Sequence, residues 1–386
     1  MHTEETRFHY MDNLRAIIMT LGVFFHAALA YSPALHNLWF TADQVSSPLM
    51  DHVVNFSHQF RMPLFFAIAG FFAALLVERR GVAGMLKNRS RRVLLPFIIF
   101  WPLVSLAIIL PIGWAVTHVQ NPSPLLQFIA YGQSQPDAPQ PPPTTAHLWF
   151  LYYLMFFYLL TWVVRILVPP ALGLKLLQLH PLVLLCLLPL LLLPGLALVQ
   201  LPFPAPDSFL PQLWALLFFG CFFTFGYLLY SSTAVIDYSV TRWHWLVIAS
   251  LGAYILFSKF SPRPTGFEPV ILPWTEKLVL MMSAATISVW MSVAGLALAR
   301  AYLNQRHGFM RFLSDASYWV YIVHLPILLA LQYWLLDQTG GWFYKYTISV
   351  SVTLFVCVIS YLLLVRWTPI GWLLNGRRRD RAAGSV

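Results

Sequence analysis

The sequence predicts an all-α integral membrane protein of about ten transmembrane helices, with both termini in the cytoplasm. Three observations predict it. Of the 386 residues, 59% are hydrophobic and only 10% charged, against about 25% charged in a soluble domain. Apolar runs close to the roughly 20 residues that a bilayer crossing needs recur along the chain. The Lys and Arg residues gather in alternate connecting segments, as the positive-inside rule requires.

Taken in order, the runs are 14–34, 55–77, 93–117, 147–168, 177–199, 209–231, 243–260, 275–299, 313–336 and 343–365. The first, "NLRAIIMTLGVFFHAALAYS", is interrupted by Arg15 and His26. The second, "NFSHQFRMPLFFAIAGFF", carries His58, Arg61 and Pro63. The third starts at "VLLPF" straight after a basic stretch, and the fourth opens with "HLWFL". Pro181, Pro189 and Pro194 fall in the fifth; prolines there need neighbouring helices to take up the carbonyls they free. The sixth to eighth carry few ionisable groups, and the ninth contains "SYWVYIVHLPI" with His324.

The segment between the second and third runs, "ERRGVAGMLKNRSRR", holds six cations. Counted with Arg7, Arg165, Lys175, Arg242, Arg300, Arg306, Arg311 and the basic tail 366–386, one side carries eighteen of the 24 Lys and Arg residues. The opposite side has Lys259, Arg263, Lys277 and Lys345, while Arg15 and Arg61 lie within spans. The net charge of +10 therefore has a topological cause, and nucleic acid is not needed to explain it. Arg15 followed by a short apolar stretch and "ALA" at 28–30 has the look of a secretory signal. The apolar run, however, contains His26 and continues past that site into "YSPAL", so we read it as a retained helix. The segment 118–146 lacks Lys and Arg, is rich in proline, and is expected to be an irregular or polyproline-like periplasmic loop. The whole of 1–386 reads as one membrane domain. Cys186, Cys221 and Cys357 sit in apolar runs at no metal or disulfide spacing; they read as packing residues, and no metal is expected.

Ionisable groups inside a membrane are functional-site hypotheses by default. Arg15 and His26 are eleven residues apart, which is about 16 Å and close to three turns, so both leave the same helix face. His58 and Arg61 are spaced i, i+3 on another span, at a depth that overlaps His26. His324 lies at the same level on the ninth span, and His147, beside Trp149, looks toward the same region from the edge of the fourth. A lone membrane histidine is often only a helix-to-helix hydrogen bond, of about 1 kcal/mol, and for His147 and His324 both readings stay open. Arg89, Arg91 and Arg92 admit two readings as well: a topology signal touching anionic lipid, or guanidinium forks for phosphate.

Five short motifs in order resemble the membrane acyltransferase-3 family. They are Arg15 and His26 in "RAIIMTLGVFFH", Arg61 in "FRMPLFFAIAGFF", Arg89 and Arg92 in "RSRRVLLPF", "HLWFL", and "SYWVYIVHLPI". With "YMDNLRA" and "HQFRMPLFF" they look most like a subgroup that modifies periplasmic glucans, with succinyl groups in its best-known members. The resemblance implies a bacterial inner-membrane enzyme that moves an acyl group, succinyl or acetyl, from cytoplasmic acyl-CoA to a hydroxyl of an extracytoplasmic glycan. It places Arg15, Arg89 and Arg92 on the acyl-CoA phosphates. His26, His58, Arg61 and His324 become the catalytic group, with His147 and Trp149 on the acceptor side. Neutral imidazole suits general-base work near neutral pH, and His26 is the expected base, or else the group that carries the acyl as an acyl-imidazole. Arg61 is expected at the developing oxyanion. No Asp or Glu in the spans offers itself to orient His26. The competing reading is a transporter or flippase whose ionisable groups line a substrate path. No pair of broken helices at matching positions in two halves supports that.

Overall fold

The computed structural model describes residues 8–135, 142–167, 175, 178–262 and 270–376. The centre of the proline-rich segment, 136–141, and the basic tail from 377 onward lie outside the described residues, as do Arg7 and Arg263. The described chain is helical: α1 His9–Leu29, α2 Pro48–Arg89, α3 Leu95–His118, α4 Pro124–Ser134, α5 Trp149–Leu167, α6 Pro181–Ala197, α7 Leu213–Leu229, α8 Ala234–Val240, α9 Trp243–Phe260, α10 Trp274–Tyr302, α11 Gly308–Leu336, α12 Trp342–Ser360 and α13 Pro369–Asn375. Among the described residues the only β pairing is an isolated bridge, Thr144 to Ser208.

Seven helical runs among the described residues are long and apolar enough to cross a membrane, or eight if the α7–α8 pair, bent by 90°, is one broken span. That is fewer than the ten runs expected, for two physical reasons. Residues 48–118 form one helical run of 71 residues, roughly 105 Å long at 1.5 Å per residue. This is over three times a hydrocarbon core of about 30 Å, so the run has length for two crossings. It turns at Gly81, where φ is +67°, a conformation that costs glycine little and other residues more. The second reason is that α6 and α7, at 17 residues each, fall short of a straight crossing.

Helix starts follow local chemistry. Ser47 caps α2 by accepting from the Leu49 amide, with Pro48 in the first turn, and Ser123 does the same for α4 with Pro124. That second cap corrects the expectation of an irregular loop, since part of 118–146 is the helix α4.

Three of the intramembrane prolines, Pro63, Pro189 and Pro326, are answered by a donor from another segment. Pro63 leaves the Gln59 carbonyl without its helical partner, and Ser288 Oγ donates to it at 2.6 Å. Pro189 frees the Leu185 carbonyl, taken by Trp290 Nε1 at 3.0 Å. Pro326 frees the Ile322 carbonyl, taken by His147 Nε2 at 3.1 Å. In hydrocarbon an unpaired backbone carbonyl costs several kcal/mol, so these pairs fix which helices sit together.

α2 and α7 approach through glycine. A Cβ on Gly70 would lie on the Phe223 carbonyl, and one on Gly226 on the Ala67 carbonyl. Small residues allow this approach where dispersion rather than the hydrophobic effect holds helices together. α1 packs along α11, and α12 lies beside both. α3 and α9 sit outside, with Ile98, Leu103, Ile109, Ile248 and Ile255 exposed, as a lipid-facing surface requires.

Candidate active site

The site rests on α1, α2 and α11. His26 on α1 has its Nδ1 2.9 Å from Nε2 of His324 on α11. The Nδ1 of His324 lies 2.8 Å from the Tyr321 carbonyl and 3.1 Å from that of Val320. Carbonyl oxygens only accept, so in the neutral ring the His324 proton is on Nδ1 and its Nε2 carries a lone pair. His26 Nδ1 must then donate, which leaves the lone pair of His26 on Nε2. These tautomers are assigned from the hydrogen-bond network. The orienting partner absent from the acidic residues is thus a second histidine.

His147 completes a three-imidazole cluster, its ring centroid 5.1 Å from that of His324. Its Nε2 donates to the Tyr321 and Ile322 carbonyls, while Tyr321 Oη donates back to the His147 carbonyl at 2.7 Å. His147 Nδ1 is buried without a partner. His147 and His324 are buried, and His26 alone of the three keeps part of its surface accessible. Trp39, from the segment joining α1 to α2, stacks near-parallel on His26 at 6.3 Å. Its indole N–H is also buried and unpaired.

Arg61 is brought to the same place. Its guanidinium carbon sits 4.3 Å from the centroid of Phe25, a cation–π contact. A Cβ on Gly22 would stand 3.1 Å from Arg61 Nη1. Gly22 and His26 are one turn apart on the same face, about 6 Å between their side-chain origins. Arg61 is 8% exposed, its Nε is unpaired, and among the described residues no carboxylate forms an ion pair with it. It is a buried cation held beside the imidazole.

Two expected members stand apart. His58 donates from Nε2 to the Phe203 carbonyl at 2.9 Å and stacks on Phe25 at 5.6 Å, so its contacts are to Phe203 and Phe25 and not to the imidazole cluster. Trp149 packs in the apolar core against Phe219 and Phe66.

At the opposite end of α1, Arg15, Arg89 and Arg92 line one cavity of about 300 Å³, with Asp12, Tyr158 and Ser314. Arg15 Nη2 donates to Ser314 Oγ at 3.2 Å and pairs with Asp12 at 3.5 Å. Arg89 lies over the Tyr158 ring at 5.2 Å. Arg89 and Arg92 flank or occupy a single π turn, Ser90–Leu94, of the kind often found at functional sites. Tyr318 Oη donates to the Arg92 carbonyl at 2.9 Å. Phe65 and Phe150, ring centroids 4.3 Å apart, also line the cavity. Phe65 is one turn from Arg61, so about 6 Å of helix separates the inner end of the arginine cavity from Arg61.

One stripe of α11 therefore serves both sites. Tyr318, Tyr321 and His324, at i, i+3 and i+6, hold the π turn, the His147 backbone and His26 in succession. Sequence reading missed Trp39, Tyr318, Tyr321 and Gly22. The tyrosines were within reach, since an i, i+3, i+6 polar stripe on an apolar helix is itself a signal; Trp39 lies outside any span and carries none.

A basic cavity and a hydrogen-bonded histidine pair thus share one membrane-embedded helix bundle. The chain belongs to the acyltransferase-3 family, a class of membrane acyltransferases, and the family's Acyltransferase domain matches residues 8–362. Among relatives, it is 21% identical over 380 residues to Glucans biosynthesis protein C of Salmonella paratyphi B, Salmonella enteritidis PT4 and Salmonella paratyphi C. That match covers 96% of this chain and 95% of theirs. No solved structure matches it.

Proposed function

We propose that this protein transfers an acyl group, succinyl or acetyl, from cytoplasmic acyl-CoA to a hydroxyl of a periplasmic glucan or related glycan. It would do so in the inner membrane, with both termini in the cytoplasm. The name of the relatives supports the acceptor class. The observation that carries the reading is that α1 and α11, which hold the His26–His324 pair, also line the arginine cavity through Arg15, Ser314 and Tyr318, with Arg89 and Arg92 supplied by the end of α2 and the π turn. The separation is about 16 Å, a span that the pantetheine arm of acyl-CoA would have to bridge.

In this mechanism the donor's phosphates meet Arg15, Arg89 and Arg92, and its thioester passes the Phe65–Phe150 pair. His26 Nε2 removes the proton of the acceptor hydroxyl as that oxygen attacks the thioester carbonyl. Arg61 stabilises the oxyanion, a role typically worth about 3 kcal/mol. The tetrahedral species collapses, the carbon–sulfur bond breaks, and the leaving thiolate takes the proton from His26. His324 holds the imidazole in the tautomer with Nε2 free, and its own Nδ1–H stays on backbone carbonyls.

The test is transfer of labelled succinyl or acetyl groups from the CoA thioester to a periplasmic glucan, with purified protein in nanodiscs beside His26→Ala. Label on the glucan, lost in a variant that still binds CoA, is the expected outcome. Folded wild type that neither binds CoA nor transfers would overturn the reading and return the ionisable groups to a transport path.

A further inference from the structure

Next to the arginine cavity lies a second recess of about 710 Å³, within the size range of small-ligand sites. Arg80, Gly84, Lys87, Asn88, Arg91 and Leu95 line it. Their spacing of 4, 3, 1, 3 and 4 residues keeps them on one side of a helix. The stripe begins beside the break at Gly81 and ends at the π turn. Trp372 and Leu373 of α13 form the facing wall.

The electrostatics are one-sided. Arg80, Lys87, Arg91 and Arg92 all line the recess and, among the described residues, no acidic side chain does. Among the described residues, the ion pairs do not include any of these four cations. Arg80, Lys87 and Arg91 keep solvent-exposed surface while Arg92 is half-buried, and all four border one recess with an aromatic wall. Arg92 lines this recess and the neighbouring cavity alike, so the two adjoin at this residue. Gly376 permits this position: its φ is +85°, and a Cβ there would fall on the Arg92 guanidinium.

We propose that this recess binds phosphate groups through Arg80, Lys87, Arg91 and Arg92. The phosphate source is either the nucleotide end of the acyl donor or the headgroup of an anionic phospholipid. The nucleotide assignment rests on the acyl-CoA reading above; the phosphate site does not. Guanidinium and ammonium groups on one wall match two or more phosphates, and Trp372 offers a surface for an adenine ring or the glycerol–acyl junction.

The experiment uses the full chain in phosphatidylcholine nanodiscs, wild type beside Arg80→Gln/Lys87→Gln/Arg91→Gln, which leaves Arg15, Arg89 and Arg92 in place. Binding of adenosine 3′,5′-bisphosphate is titrated calorimetrically, and retention of phosphatidylglycerol is followed by native mass spectrometry. A loss of bisphosphate affinity of about tenfold or more, the size of one charge-assisted hydrogen bond, supports a nucleotide source. Unchanged bisphosphate binding with lost phosphatidylglycerol supports the same site with a lipid source. Neither change, in a variant that melts with wild type, overturns the proposal. Single Arg91→Gln, expected to give a smaller shift of the same sign, serves if the triple variant melts early. Wild type that holds phosphatidylglycerol through these residues but binds no bisphosphate or CoA would sink the acyl-CoA reading and leave this site standing.

Discussion

His26 Nδ1 and His324 Nε2 stand 2.9 Å apart, linking residues 298 positions distant in the chain. The proton in that contact belongs to His26, because the other nitrogen of His324 faces only backbone carbonyls. A glutamine at 324 can still accept from His26, whereas alanine cannot. We expect His26→Ala to lower kcat by about 10² to 10⁴, the usual range for a general base. His324→Ala should fall less, and His324→Gln should recover part of that loss. His324→Ala turning over at the wild-type rate would remove the positioning role.

Arg61 lies against Gly22, one turn below His26. Arg61→Met should lower kcat by about 10²-fold, corresponding to about 3 kcal/mol, with CoA affinity unchanged. Gly22→Val should reproduce part of this defect by displacing the guanidinium without altering its chemistry. Steady-state kinetics with both variants decide the matter; a change in KM alone would move Arg61 from the reacting centre to donor binding.

Tyr318 holds the π turn through the Arg92 carbonyl. Tyr318→Phe removes one hydrogen bond, about 1 kcal/mol. The expected result is a KM for acyl-CoA raised about fivefold at constant kcat, since the bond acts on the arginine cavity and not on the histidines. A fall in kcat with KM unchanged would contradict the separation of the two sites.

Lys345, an outer-side cation by its place in the sequence, has a buried Nζ that pairs with Asp43 at 2.7 Å, both side chains under 5% exposed. Removing one partner strands the other charge. Lys345→Met should destabilise by about 3–5 kcal/mol, and adding Asp43→Leu should restore most of it. Thermal melts in detergent read this directly, and a single variant melting with wild type would show that the pair is not carrying stability.

Gly70→Ala and Gly226→Ala each place a methyl on a carbonyl of the facing helix. Overpacking of this kind costs about 1–3 kcal/mol, and the double variant should lose less than the sum because one separation of α2 from α7 relieves both. Strict additivity in denaturant unfolding would mean the two contacts are independent.

Much of the site was legible in the sequence because depth along a helix is set by counting residues. Arg15, His26, Arg61 and His324 could be placed at their levels, and His26, His147 and His324 do meet. Arg15, Arg89 and Arg92 likewise share one cavity. His58 was assigned by the same arithmetic, yet it bonds the Phe203 carbonyl and stacks on Phe25, which in turn meets His26 edge-on. Trp149 is at a suitable depth and turns into the core. Depth does not determine azimuth between helices.

What the sequence determined by itself is a helical membrane chain with one basic end and an arginine, histidine and proline pattern at defined levels. Periodicity, hydropathy and charge count are local quantities, and they survive without knowledge of neighbours. The tertiary structure decided which nitrogen of His26 is free, which donors answer Pro63, Pro189 and Pro326, and which cations border one recess. The physical reason is hydrogen-bond satisfaction in a medium without water. The carbonyls of Gln59, Leu185 and Ile322 each take their partner from another helix, and only the packed bundle supplies it.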